Sequence, residues 1–118
     1  MPKSTPEQKE VRDKAIADAT KQATLVPFEV LRAVPRALEL ALVVAKKGNK
    51  NSASDAGVAG ASLRTAAEGA WLNVRINLAG IDDEDFKQRL LTEGREILAR
   101  AHQGADSVRQ AVDESIGA

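Results

Sequence analysis

Cysteine is absent from this sequence, which excludes disulfides, thiolate metal sites and a cysteine nucleophile. The single histidine, His102, is too little for a histidine-based metal site or catalytic triad, so no metal is expected. An excess of either charge is missing too, because 17 Lys plus Arg balance 17 Asp plus Glu. Without a positive surplus the chain cannot supply the phosphate contacts that dominate nucleic-acid affinity, and no nucleic-acid partner is expected. The longest strongly apolar run, "ALELALVVA" from Ala37 to Ala45, falls well short of the roughly 20 residues a membrane helix needs. The opening "MPKSTPEQKE" has no apolar signal-peptide core. These absences predict a soluble, cytoplasmic protein with no membrane partner. No segment alternates with a strand's period of two, and no internal repeat appears.

Helical patterning is what the chain does have. At 118 residues the expectation is a single helical domain over 1–118, long enough for a modest core. Thr5, Pro6 and Gln8 form a helix start: a hydroxyl cap, proline at the first helical position, and an amide placed to close the capping box. Pro27 and Pro35 each lack a donor and crowd the preceding turn, so each is expected to break or kink the helix. Apolar spacing in "FEVLRAV" and "RALELALVVAKKG" continues the arm to Lys46, Lys47 and a stop at Gly48, giving one long bent helical arm. "NKNSASD" reads as a loop, with Ser52 as the next cap and the Asp55 carboxylate at the positive helix start.

The second helix is expected to reach about Leu78 and to end at Gly80. Ala53, Gly57 and Ala61 fall four apart on it, with Gly60 alongside, a stripe that lets another helix approach closely. Asp82 to Asp85 place acids at the last helix start, whose Phe86, Leu90, Ile97, Ala101, Val108 and Val112 share one face. The predicted fold is all-α, a bundle of about four helices with short loops. Its apolar faces exceed what helices of this length can cover, which predicts a homodimer or higher oligomer.

The stretch "GAWLNVRINLAGI", Gly69 to Ile81, carries polar residues where apolar ones are expected. Gly69, Asn73 and Asn77 lie four apart on one stripe, and Arg75 shares another face with Trp71 and Leu78. The paired amides suit a cross-helix network, a dimer axis or recognition of an amide-rich heterocycle. Arg75 could pair with Glu68, Asp55 or a ligand carboxylate. Trp71 reads as core or interface rather than a stacking platform, and His102 as an exposed residue without a role.

Three strings, "ATKQATLVPFEVLR", "KKGNKNSASDAGVAGASL" and "AAEGAWLNVRINLAGIDDEDF", occur in this order and cover most of the chain. In order and spacing they resemble the cyclodeaminase domain of formiminotransferase-cyclodeaminase and its relatives, the methenyltetrahydrofolate cyclohydrolases. The specific elements are the "VP" at Val26 and Pro27, the "GN", "SD" and "GVA" block from Gly48 to Ala59, and the "GA", "LNV", "INL" run. The resemblance implies a C-terminal portion of a longer domain. It also implies an enzyme acting on 5-formimino- or 5,10-methenyltetrahydrofolate, by cyclodeamination or by ring-opening hydrolysis, with a tetrahydrofolate derivative as substrate and no metal.

Either reaction needs proton exchange beside a delocalised cation, which a tuned carboxylate provides. Asp55, in the matched "SD" block, is the candidate catalytic residue, with helix capping as its simpler role. Candidate substrate contacts are Asn49, Ser54, Asn73, Arg75 and Asn77. Lys46, Lys47 and Lys50 suit the anionic folate tail, or equally a solvated helix end. A non-catalytic helical interaction fragment is the alternative.

Overall fold

The computed structural model describes residues 5–117, which form three helices: α1 (Pro6–Lys47), α2 (Lys50–Leu78) and α3 (Glu84–Ile116). Among the described residues there is no strand. The all-α class stands, but there are three helices, not about four, because neither proline ends α1.

Helix α1 starts as its sequence dictates. Thr5 Oγ1 accepts from the Gln8 backbone N–H (3.1 Å), and Gln8 Oε1 accepts from the Thr5 N–H (3.0 Å), with Pro6 at the first helical position. The chain then continues helically through Pro27 and Pro35. Pro27 cannot donate to the Ala23 carbonyl, as an α-helix requires of residue i+4. Asn77 Nδ2, on α2, supplies that donor at 3.3 Å. Lys46 and Lys47 occupy the last turn, and the Gly48 N–H closes it on the Val44 carbonyl (2.8 Å).

The expected loop at 49–55 is nearly all helix. Asn49, not Ser52, caps α2: its Oδ1 accepts from the Ser52 N–H at 2.9 Å. The amide acceptor sits three residues earlier than the hydroxyl, so the helix starts earlier and Gly48 and Asn49 alone link it to α1. Asp83 caps α3 through the Phe86 N–H (3.0 Å), and Gly117 ends it with φ 78°, a left-handed conformation natural to glycine.

So short a link forces α2 antiparallel to α1, and α3 runs back alongside α1. The α1–α3 side is tied by Lys21–Asp83 (2.8 Å) and Arg32–Glu93 (3.0 Å). The core is a strip along the bundle axis: Phe28, Leu31 and Leu38 from α1, Trp71, Val74 and Leu78 from α2, Leu90, Ile97 and Val108 from α3. Every residue of the predicted α3 face is buried. Small residues set how closely the helices meet. A Cβ on Gly60 would fall 2.9 Å from Val108 Cγ1, and one on Gly57 3.3 Å from Val112 Cγ1. Of the predicted small stripe, Ala53 and Gly60 are buried and Gly57 half-buried, whereas Ala61 is exposed.

Candidate functional site

The predicted site residues fall at the two ends of α2. At the first end, Asp55 and Ser54 are exposed on α2, and Lys46 and Lys47, which finish α1 at the same end of the bundle, are exposed too. Lys50 is exposed at the α2 start, and the Asn49 side chain is engaged as the cap. Asp55 is not a cap: it lies beyond the first turn of α2, which contains no acidic residue, and it makes no hydrogen bond or ion pair among the described residues. It borders a groove of 310 Å³ between α1 and α2, lined by Ala37, Leu40, Val44, Ala59 and Leu63 among others. Apart from that carboxylate the lining side chains are aliphatic, so the groove offers an apolar floor with one anionic rim.

At the second end, Asn73 and Asn77 do not form the shared network expected of them. Asn77 is half-buried and committed to the Ala23 carbonyl, while Asn73 is exposed and makes no side-chain hydrogen bond among the described residues. Arg75 is exposed and without an ion pair among them, although Trp71 and Leu78 on either side are buried. Trp71 is core: its ring covers Gly94, where an added Cβ would overlap Cζ3 and lie 2.8 Å from Cη2.

At a rise of 1.5 Å per residue, Asp55 and Asn73 stand about 27 Å apart along α2. One chain therefore does not bring the two clusters together. Arg75 lies two residues further along α2, which rules out an Arg75–Asp55 pair within the chain as well.

Glu68, the other partner expected for Arg75, turns to α3. Its Oε1 lies 3.0 Å from His102 Nε2 and 3.4 Å from Arg64 Nε, and Arg64 also reaches Asp106 at 3.1 Å. His102 is thus half-buried and paired rather than an isolated surface residue. Arg64 and Glu68 stand four apart on α2, but their pairing with His102 and Asp106, 34 and 42 residues further on, is made only when α2 packs on α3. It lies on the α3 flank of α2, away from the Asp55 groove. A wider depression of 510 Å³, lined by Asp106, Arg109, Gln110, Asp113, Glu114 and Gly117, belongs to α3 and its cap alone and contains none of the predicted residues.

Among the acids, Asp83 is held below its ordinary range, first by the hydrogen bond from Lys21 and then by the Phe86 N–H it caps. This ties α1 to the start of α3 but is remote from Asp55. Among the described residues, no group of His, Asp and Glu is arranged to hold a metal ion and no helix is long and apolar enough to cross a membrane.

An all-helical chain with a carboxylate-rimmed apolar groove is compatible with many functions, and comparison with known proteins narrows them. Residues 1–113 match the family described as formiminotransferase-cyclodeaminase. The chain belongs to that family. It is 43% identical over 101 residues to a methenyltetrahydrofolate cyclohydrolase of Methylorubrum extorquens, covering 86% of this chain and 49% of that protein. It is 35% identical over 89 residues to the formimidoyltransferase-cyclodeaminase of Rattus norvegicus, covering 75% of this chain and 16% of that protein. The corresponding protein of Gallus gallus is 36% identical over 105 residues, with 89% and 19% covered. The chain thus spans about half the length of the cyclohydrolase and less than a fifth of the two longer relatives.

Proposed function

We propose that this chain serves folate one-carbon metabolism, contributing part of a site that acts on 5-formimino- or 5,10-methenyltetrahydrofolate. The observation that carries the reading is Asp55: it lies in the string on which the family resemblance rests, and it is the one charged side chain on an apolar groove. The flat aminobenzoyl ring of a folate can lie along such a floor, which leaves the polar pterin to other groups. A carboxylate at its rim can stabilise a delocalised one-carbon cation and exchange a proton with attacking water or departing ammonia. Lys46 and Lys47, at the same end, suit the anionic tail of a folate. In this reading the chain is one helical domain that works in the cytoplasm as a homodimer or larger assembly, without a metal.

A second reading, a helical interaction fragment without catalysis, is favoured by the separation of Asp55 from the asparagine cluster. The methenyl chromophore decides between them. Purified chain should bleach added 5,10-methenyltetrahydrofolate, or generate it from the 5-formimino form, faster than buffer. If it does neither and the folate does not raise its melting temperature, the interaction reading replaces the catalytic one.

A further inference from the structure

Helix α1 has 42 residues and α2 only 29. Asn77, near the end of α2, meets Ala23, so the earlier part of α1 projects past α2, and residues 6–19 are all exposed. This arm is about 21 Å of helix. Helices in proteins owe most of their stability to the packing of an amphipathic face, and here that face lies open.

The open face is apolar and continues along the whole helix. Val11, Ala15, Val26, Val30, Leu40 and Val44 fall on one line of steps of three and four, with Ala19, Gln22, Ala33 and Ala37 at the steps between. Gln22 is its one polar member. Val11 is 70% exposed, Val26 68% and Leu40 52%. The line turns away from α3, which α1 meets through Leu38 at Gly104 and Arg32 at Glu93. It runs from a depression at Val11 and Ala15 on the arm to the groove at Ala37, Leu40 and Val44, whose other wall is Ala59 and Leu63 of α2. From Val11 to Val44 the stripe is about 50 Å long. A straight apolar line at helical spacing, walled by a second helix at one end, is a seat for an amphipathic helix.

We propose that this stripe is the docking surface for a helix from the half of the family domain that lies outside this chain. The chain covers 49% of the Methylorubrum extorquens cyclohydrolase, which leaves about half of that protein to be packed against such a surface. The occupant carries its own apolar line at steps of three and four. Where it passes Asp55, the one charged residue on the groove, it presents a basic or hydrogen-bond-donating side chain. A second copy meeting the stripe with its own stripe would bring no cation from it, because none of the ten members is Lys or Arg. The proposal rests on the family and on the stripe, and the absence of folate turnover would leave it standing.

Two valines separate the stripe from the rest of α1. Val30 is 47% exposed and Val43 48%, but only Val30 lies on the line. In the isolated chain, Val30→Lys and Val43→Lys should each melt within about 3 °C of the parent, as exposed substitutions do. The test then places this chain in the M. extorquens cyclohydrolase in exchange for the 101 residues it matches. In that fusion Val30→Lys should melt about 10 °C lower, because the lysine is buried without a partner, while Val43→Lys stays within about 3 °C. Thiol labelling gives a second measurement that does not depend on the lysine variant folding. The chain has no cysteine of its own, so Val30→Cys and Val43→Cys should react at similar rates in the isolated chain, and Val30→Cys should react at least tenfold more slowly in the fusion, after subtraction of the parent fusion's background. Equal melting of the two lysine variants in the fusion, equal labelling of the two cysteine variants there, or a fusion that melts as two independent units would overturn the proposal. So would an isolated chain that sediments as a dimer and is dissociated by Val30→Lys, since a second copy would then hold the stripe.

Discussion

Asn77 Nδ2 donates to the Ala23 carbonyl across 3.3 Å, supplying from α2 the hydrogen bond that Pro27 cannot make within α1. The proline and the asparagine are therefore energetically coupled although they lie on different helices. Replacing Asn77 with Leu should cost about 0.5–1.5 kcal/mol by thermal or denaturant melting. In a Pro27→Ala background, where the backbone N–H returns to Ala23, the same replacement should cost measurably less. Equal costs in the two backgrounds would show the bond to be incidental.

Gly94 lies under the Trp71 ring with no room for a methyl group. Gly94→Ala should destabilise the chain by about 1–3 kcal/mol, the range for overpacked cores, despite the better helix propensity of alanine. Trp71 is the single tryptophan, so its emission should move towards that of exposed indole as the ring is displaced. A melting temperature at or above the parent's would contradict the packing.

The α2 cap separates two nearby residues. Asn49→Ala removes the acceptor for the Ser52 N–H and should cost about 1 kcal/mol, whereas Ser52→Ala should stay within about 0.5 kcal/mol of the parent. Chemical denaturation of the two single variants gives the order directly.

Asp83 carries a pH signature. Its folded pKa lies below its unfolded one, so its contribution is present above the unfolded value and is lost as pH falls through the folded value. Asp83→Asn retains a capping side chain but loses the charge that meets Lys21. The variant should melt below the parent at neutral pH, and the gap should close in acid as the parent's carboxylate is protonated. A gap independent of pH would assign the effect to the cap alone.

Asp55→Asn should leave stability within about 0.5 kcal/mol, since the side chain is exposed and has no partner among the described residues. If the proposed chemistry is present, turnover of methenyl- or formiminotetrahydrofolate should fall about 100-fold or more, the scale of a lost acid–base group. Methenyl absorbance follows either reaction, and retention of activity within a few-fold would move the catalytic role elsewhere.

The sequence by itself determined the helical class, the capping box at Thr5, the stop at Gly48, the acidic start and buried face of α3, and the strings that carry the family resemblance. These features depend on hydrogen bonds and side-chain spacing within about one helical turn, which the order of residues specifies directly. The number of helices was not legible in the same way. Pro27 reads locally as a break, and the donor for Ala23 that Asn77 supplies arrives from 54 residues away. His102 likewise meets Glu68 across 34 residues, and Gly94 is legible as a contact only once Trp71 lies on it. Asp55 and Asn73 share a helix, yet a rigid rod holds its ends apart by its length, so naming both as candidate site residues said nothing of their proximity. Which residues meet was decided by tertiary packing, because helix pairing brings together side chains that no local pattern relates.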